Sequence, residues 1–348
     1  MLLAAQFPSW LSPEIIPGLP FRWYGLMYVV AFGIAFLLYQ WQVRERHFPM
    51  NDDELSGLFF WGILALILGA RIFAAIVYET SDIYRRQPSL VFWPFRDGQF
   101  TGLQGMSYHG GVIGGILAIL IYATVKRFDY REIGDMFAAS IPLGYTFGRL
   151  GNFTNGELYG RITATPLGMV FPQARAYPAG LAWVQEVAEK TGIAIPSDPS
   201  SLLNLPRYPS QLYEALFEGV ILWLIIWSLR NRKPFKGFLI GIYLLGYGLF
   251  RFIIEYFREP DLDLGYRIQF IKTDLPTAIS HPLLSFSTGQ VFSLVMMVIG
   301  VFWLIIAAGL PNRKPVLIYL SSDKNTPIPM VERQASRKSR RKLRKKLR

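Results

Sequence analysis

The sequence predicts an all-α polytopic membrane protein. Three observations carry that class. Hydrophobic residues make up 52% of 348 residues with a mean hydropathy of +0.28, several apolar stretches approach the length of a bilayer span, and the polar residues beside them gather at one end. A soluble domain with a normally solvated surface rarely reaches that balance. The formal charge of +12 is local: Arg333 to Arg348 holds ten Lys or Arg and no acid, and without it the charge is +2. The high isoelectric point therefore describes an appendage.

A spanning helix needs about 20 mostly apolar residues. Seven stretches qualify: Trp23–Trp41, Leu58–Tyr78, Gly110–Val125, Met136–Leu150, Leu212–Leu229, Phe238–Phe257 and Val291–Leu310. The third and fourth are the shortest. When seven spans alternate, Arg44 and Arg46, then Lys126, Arg127 and Arg131, then Arg230, Arg232, Lys233 and Lys236, and finally the basic tail, fall on one side. The positive-inside bias makes that side cytoplasmic. The expected topology is thus seven transmembrane helices with the N-terminus outside and the C-terminus cytoplasmic.

Residues 1–21 read as an extracytoplasmic segment. They lack a positive n-region and are interrupted by Pro8 and Pro13, so they do not read as a cleavable signal peptide. Residues 22–311 read as the membrane domain, including a small extracytoplasmic cap, 152–210, that is rich in proline around one helical stretch, Gly180 to Lys190. Residues 312–348 read as a disordered, basic cytoplasmic tail attracted to anionic lipid. Nothing in the tail specifies a nucleic-acid sequence.

The chain has no cysteine, which excludes disulfides, thiolate metal sites and a cysteine nucleophile. Any thiol in its chemistry belongs to a substrate. His47, His109 and His281 are scattered without metal-ligand spacing, so no metal is expected, and no organic cofactor is suggested.

Ionisable groups in spans cost ~2.5–3.5 kcal/mol each near a helix centre, so each is a functional hypothesis. In the expected topology Arg22, Tyr24, Arg71, His109, Arg149, Asn152, Gln211, Glu214, Arg251, Glu255 and Gln290 all fall towards the outer leaflet. Taken singly, such residues snorkel to the interface and pair with one another. Taken together they describe a polar pocket suited to an anionic headgroup.

Gly148 to Arg161 packs four glycines, two arginines, two asparagines and a glutamate into fourteen residues. Glycine lets backbone approach a ligand, arginine offers a planar fork matched to phosphate, and asparagine donates to phosphate or ester oxygens. The combination suits a phosphodiester, the plain alternative being a glycine-rich helix end. Ser107-Tyr108-His109-Gly110-Gly111, followed by Gly114 and Gly115, predicts close helix packing with His109 at the mouth, as a proton acceptor, a phosphate ligand or a capping residue. Tyr247, Arg251 and Glu255 recur every four residues and share a helix face, where Arg251 and Glu255 form at least a self-neutralising pair. Ser210–Glu214 and Ser287–Gln290 read as polar helix starts.

At these residues the sequence resembles the prolipoprotein diacylglyceryl transferases. The resemblance runs from Arg22-Trp23-Tyr24-Gly25-Leu26 through His109-Gly110-Gly111 and the Gly148–Gly160 signature to Arg251-Phe252-Ile253-Ile254-Glu255-Tyr256-Phe257-Arg258-Glu259-Pro260-Asp261. It implies a bacterial plasma-membrane enzyme, active towards the outer leaflet. Such an enzyme transfers the diacylglyceryl group of phosphatidylglycerol to the lipobox cysteine thiol of a preprolipoprotein. The products would be a thioether and glycerol phosphate.

The positions implied are Tyr24, His109, Arg149, Asn152, Glu157, Gly160, Tyr247, Arg251 and Glu255. Of these, His109, Arg149, Arg251 and Tyr247 are expected to be catalytic. Tyr24, Asn152, Glu157, Gly160 and Glu255, with the two arginines, are expected to bind phosphatidylglycerol. His109 stays open between base and phosphate ligand. One departure is plain: where many relatives read His-Pro-Ser-Gln-Leu-Tyr-Glu, this chain has Tyr208-Pro209-Ser210-Gln211-Leu212-Tyr213-Glu214, so a second histidine is not an obligatory base here. Without the family motifs, a transporter or another membrane phosphodiesterase remains as an alternative. A transporter should place polar groups near the midplane.

Overall fold

The computed structural model describes residues 4–16, 18, 21–79, 83–93, 95–96, 99–100, 105–259, 266–270, 276–280 and 282–310. The basic tail 312–348, the Pro260-Asp261 end of the last motif and His281 lie outside the described residues. The chain divides into two units, one formed by Met1–Tyr39 with Gly134–Pro311 and the other by Gln40–Ile133.

Helix α1 (Trp23–Glu45) begins in the first unit and ends in the second, where α2 (Asp52–Phe73) follows. Asn51 starts α2 with a capping box. Its side chain accepts from the Glu54 amide at 2.7 Å, and the Glu54 carboxylate accepts from the Asn51 amide at 3.2 Å. Three acids in the first turn complement the helix dipole. The helix continues through a π-helical turn, Ala74–Tyr78, and after the short α3 (Ile83–Arg86) the chain enters α4 (Tyr108–Val125), capped by Ser107.

Helices α2 and α4 pack through small residues. A methyl group on Gly69 would strike the Gly110 carbonyl, and one on Gly114 would strike the Ala65 carbonyl. Gly111 has ordinary room and Gly115 faces open space, so two of the four expected glycines make the close contact. Arg71, counted in the polar set expected towards the outer leaflet, is buried against the loop that follows α2. It donates to the carbonyls of Val91, Gly105 (3.0 Å) and Leu90 (3.2 Å) and to the Tyr84 hydroxyl (2.9 Å).

The first unit resumes within α5 (Tyr130–Ala138) and continues with α6 (Ile141–Thr154). The expected fourth span, Met136–Leu150, is therefore not one helix. Pro142 lies in the first turn of α6, where its missing amide does no harm, and the Ser140 hydroxyl bonds back to the Met136 carbonyl at 2.8 Å at the end of α5. Next come α7 (Ala182–Thr191), α8 (Ser210–Glu214), a π-helical segment (Ala215–Ile221), α9 (Leu222–Leu229), α10 (Phe238–Ile254) and α11 (Thr288–Gly309). Asp135 of α5 ties the start of α10: its carboxylate accepts from the amides of Gly237 (2.9 Å) and Ile240 (3.2 Å) and pairs with Lys233 at 2.8 Å.

The cap expected at 152–210 has its own small core, in which Val184, Val187 and Ala188 of α7 meet Ile162, Tyr177, Leu203, Leu205 and Ala278. Short strands finish it: Ala5–Gln6 pairs in parallel with Met169–Val170, and Tyr177–Pro178 pairs antiparallel with Leu202–Leu203. Arg207, fully buried, pairs with Glu259 at 2.5 Å. Burial pushes the Glu259 carboxyl up, against the opposing pull of that guanidinium.

Among the described residues five helices are long and apolar enough to cross a membrane: Trp23–Glu45, Asp52–Tyr78, Tyr108–Val125, Ser210–Leu229 and Thr288–Gly309. No more than 33% of the most apolar window of any of them is buried within the protein. Apolar surface of that extent needs lipid, not water, as its solvent. Helix α10, at 17 residues, is shorter, about 25 Å at 1.5 Å per residue. The chain is a mostly helical membrane protein.

Candidate active site

In the first unit, three elements bring charged groups to one place. On α6, Tyr145, Arg149 and Asn152 are four and three residues apart and share a face. Glu214 ends α8, and Glu218 lies one turn on, in the π-helical segment. From α10 come Tyr247 and Arg251, with Glu255 at its C-cap and Arg258 in the following turn.

Glu214 is the hub. Its Oε2 lies 2.8 Å from Arg149 Nε, and its Oε1 accepts from Arg251 Nη1 at 3.0 Å and Arg258 Nη1 at 2.9 Å. The Glu214 side chain is fully buried, while each arginine keeps 16% of its side-chain surface exposed. Arg251 Nη2 pairs with Glu255 at 3.0 Å, and the Ser287 hydroxyl donates to the other Glu255 oxygen at 2.9 Å. Gly289 leaves room for this carboxylate, since a methyl there would lie 2.7 Å from it and the Glu255 side chain would have to shift.

Arg149 also donates to the Tyr145 hydroxyl at 2.6 Å and to Asn152 Oδ1 at 3.3 Å. Asn152 in turn donates to Glu157 Oε1 at 2.9 Å, and Gln211 holds the Glu157 backbone carbonyl at 2.6 Å. The turn that carries Glu157 depends on two left-handed residues, Gly156 (φ 65°) and Leu158 (φ 56°). The Tyr24 hydroxyl of α1 meets that of Tyr28 at 3.0 Å, and the Tyr24 ring lies against α6 at Gly151, beside Asn152. Tyr247 meets Tyr145 edge to face, with ring centroids 5.9 Å apart.

Three arginines therefore face three glutamates. Charges this deeply buried are tolerable only when each has a partner. An entering phosphate would find guanidinium forks already oriented, and it would compete with Glu214 for their donors. Among the described residues no group of three or more His, Asp or Glu side chains is arranged to hold a metal.

Of the residues expected from sequence, Tyr24, Arg149, Asn152, Glu157, Tyr247, Arg251 and Glu255 belong to this network. Gly160 supports it through backbone: it bridges antiparallel to Arg258 and donates to the Tyr208 carbonyl at 2.7 Å, and a methyl on it would strike the Phe257 carbonyl. Arg161, the last residue of the same motif, turns away to the carbonyls of Thr277 and Ser280. Gln290 closes a capping box with Ser287 at the start of α11. His109 belongs to the second unit, where its Nδ1 lies 3.0 Å from the Tyr78 hydroxyl.

The catalytic and lipid-binding residues expected from sequence did not include Glu218 or Tyr145, nor Glu214 and Arg258, of which the first was counted in the polar pocket and the second in the last motif. The available signals were the four-residue spacings of Glu214 with Glu218 and of Tyr145 with Arg149, each inside an apolar run.

These features define a polytopic membrane protein built round a buried arginine–carboxylate network. Residues 13–306 match the family model described as prolipoprotein diacylglyceryl transferase. A protein of Treponema denticola named phosphatidylglycerol–prolipoprotein diacylglyceryl transferase is 53% identical over 314 residues, covering 85% of this chain and 92% of its own length. Proteins of the same name from Treponema pallidum (46% over 313 residues; 86% and 94% covered) and Chlorobaculum tepidum (37% over 302 residues; 85% and 90% covered) are also similar. The chain belongs to the prolipoprotein diacylglyceryl transferase family.

Proposed function

We propose that this chain transfers the diacylglyceryl group of phosphatidylglycerol to the lipobox cysteine thiol of a prolipoprotein. The observation that carries the reading is the Arg149–Glu214–Arg251 arrangement, with contacts of 2.8 and 3.0 Å. Family membership and the names of the relatives supply the substrates. The thiolate sulfur attacks the glycerol carbon that bears the phosphate. The carbon–sulfur bond forms as the carbon–oxygen bond breaks, and its electron pair leaves on the phosphate oxygen, giving glycerol phosphate.

Arg149 and Arg251 stabilise the charge on the departing phosphate, where preorganised donors contribute most. Asn152 and Tyr247 fix the headgroup, and Glu157 and Tyr24 hold the glycerol hydroxyls. A free thiol has a pKa of about 8.5 and needs little help to ionise. The family resemblance offers His109 as base or as phosphate ligand, and that choice stays open. No cofactor enters any step.

The proposed setting is a bacterial plasma membrane, with seven spans, α5 and α6 together making the fourth, the N-terminus outside and the network towards the outer leaflet. The Lys and Arg bias of the connections supports that orientation. The natural lack of cysteine makes it testable with single introduced thiols. Ser200→Cys in the cap should react with a membrane-impermeant maleimide in intact spheroplasts, and Arg232→Cys only after lysis. The opposite pattern would invert the topology.

The activity test uses detergent-purified protein, phosphatidylglycerol and a synthetic lipobox peptide. The peptide should gain the mass of one diacylglyceryl group as glycerol phosphate appears in equal amount. A folded, lipid-binding protein that leaves the peptide unmodified would overturn the assigned reaction.

A further inference from the structure

Glu214 cannot alone set the geometry of the two arginines during turnover, because the incoming phosphate competes for the Arg251 donor it occupies, at 3.0 Å, and the Arg149 Nε proton goes to another acceptor. A second link joins them. The Tyr145 hydroxyl accepts the Arg149 Nε proton at 2.6 Å and itself donates to Glu218 Oε2. The other Glu218 oxygen lies 3.9 Å from Arg251 Nη1. The Tyr145 ring also faces the Arg149 guanidinium, with its carbon 4.8 Å from the ring centroid. Tyr145 thus contacts Arg149 through one edge and one face of the fork, which leaves the terminal side, where Nη1 also donates to Asn152 Oδ1 at 3.3 Å, as the side a phosphate meets.

Both members sit where a link of this kind would be built. Tyr145 precedes Arg149 by one helical turn, and Glu218 follows Glu214 by one turn inside the π-helical segment. Such segments alter the facing of residues within a helix and recur at functional sites. Here Gly219 lets the segment close on α6, since a methyl on it would strike the Thr146 hydroxyl. Glu218 is buried, at 1% exposure: its Oε2 takes the Tyr145 hydroxyl, and its Oε1, which makes no hydrogen bond among the described residues, faces Arg251 as a charge across 3.9 Å.

We propose that Tyr145 and Glu218 are a positioning pair that holds Arg149 and Arg251 at their working separation while the lipid phosphate takes Arg251 from Glu214 and meets Arg149 on its far, terminal side. The proposal rests on the transferase reading above. Neither residue touches the reacting atoms; both act through the arginines. Loss of the pair leaves the lipid able to bind but misaligned for displacement, which lowers kcat more than it raises KM.

Tyr145→Phe is the decisive variant, because it keeps the ring over Arg149 and removes only the hydroxyl link. It should lower kcat for peptide lipidation about tenfold or more, with KM for phosphatidylglycerol within about threefold of the unmutated enzyme. Glu218→Gln, which keeps an acceptor for the hydroxyl, should lose less than Glu218→Ala. Tyr145→Phe combined with Glu218→Gln should be no worse than Tyr145→Phe alone, because both changes break one link.

A Tyr145→Phe enzyme within twofold of the unmutated kcat, or strictly multiplicative losses in the double variant, would overturn the proposal. If Glu218→Ala does not fold, Tyr145→Phe and Glu218→Gln decide it between them. Transfer by the unmutated enzyme run alongside keeps the two claims apart. Unchanged kinetics of the variants beside an active enzyme sink the positioning pair alone. An inactive unmutated enzyme sinks the transferase reading and the pair with it.

Discussion

Arg149→Ala is expected to slow diacylglyceryl transfer by about 100- to 1,000-fold, the usual cost of removing one preorganised donor from a water-poor site. The protein should remain folded. Glu214 keeps Arg251 at 3.0 Å and Arg258 at 2.9 Å when Arg149 is gone, so no buried carboxylate is stranded. Lysine is not expected to rescue the site. Its ammonium cannot contact Tyr145, Glu214 and Asn152 at once, as the Arg149 fork does, and still meet a phosphate. Initial rates of peptide lipidation, read beside a thermal melt in the same detergent, check both halves. A variant that retains more than a tenth of the rate would remove Arg149 from the step.

Glu214→Ala should have the larger structural effect. That carboxylate is fully buried and shared by three guanidiniums, and deleting it leaves like charges facing one another at low dielectric. Breaking a buried charge pair by removing one partner costs about 3–5 kcal/mol. We expect a sharp drop in the yield of monodisperse protein and in its melting temperature, together with loss of transfer. Glu214→Gln, with the same shape and one good acceptor, should fold better and still be impaired. A Glu214→Ala protein that melts with the unmutated one would contradict the hub assigned to this residue.

Hydropathy alone was enough to locate α1, α2, α4 and α11, because a span must bury nearly continuous apolar sequence in lipid. It could not find the break between α5 and α6, where apolar residues lie on both sides. Only Pro142 and the back-bonding Ser140 mark that position. The π-helical segment Ala215–Ile221 was equally hidden, since the close approach of Gly219 to Thr146 is a tertiary contact.

The site divides in the same way. Arg149, Asn152 and Glu157 were readable because they lie within one short motif and bond to one another. Glu214 was legible as one of the polar groups towards the outer leaflet and as part of a polar helix start, but not as the hub, because its partners lie far along the chain at Arg149 and Arg251. Cost in the membrane left the partners of Arg71 unspecified. The rule that an ionisable residue in a span is expensive says that it must be satisfied, not by what, and here loop carbonyls satisfy it.

The most direct measurement follows one oxygen. Phosphatidylglycerol can be made with oxygen-18 in the bridge between the diacylglycerol carbon and phosphorus, then turned over with the lipobox peptide. Displacement at carbon, with the phosphate departing onto Arg149 and Arg251, predicts that all of the label leaves in glycerol phosphate and none enters the thioether-linked peptide. Label retained in a diacylglycerol product, or phosphorus found on the peptide, would mean that the bond to phosphorus breaks instead and would contradict the mechanism.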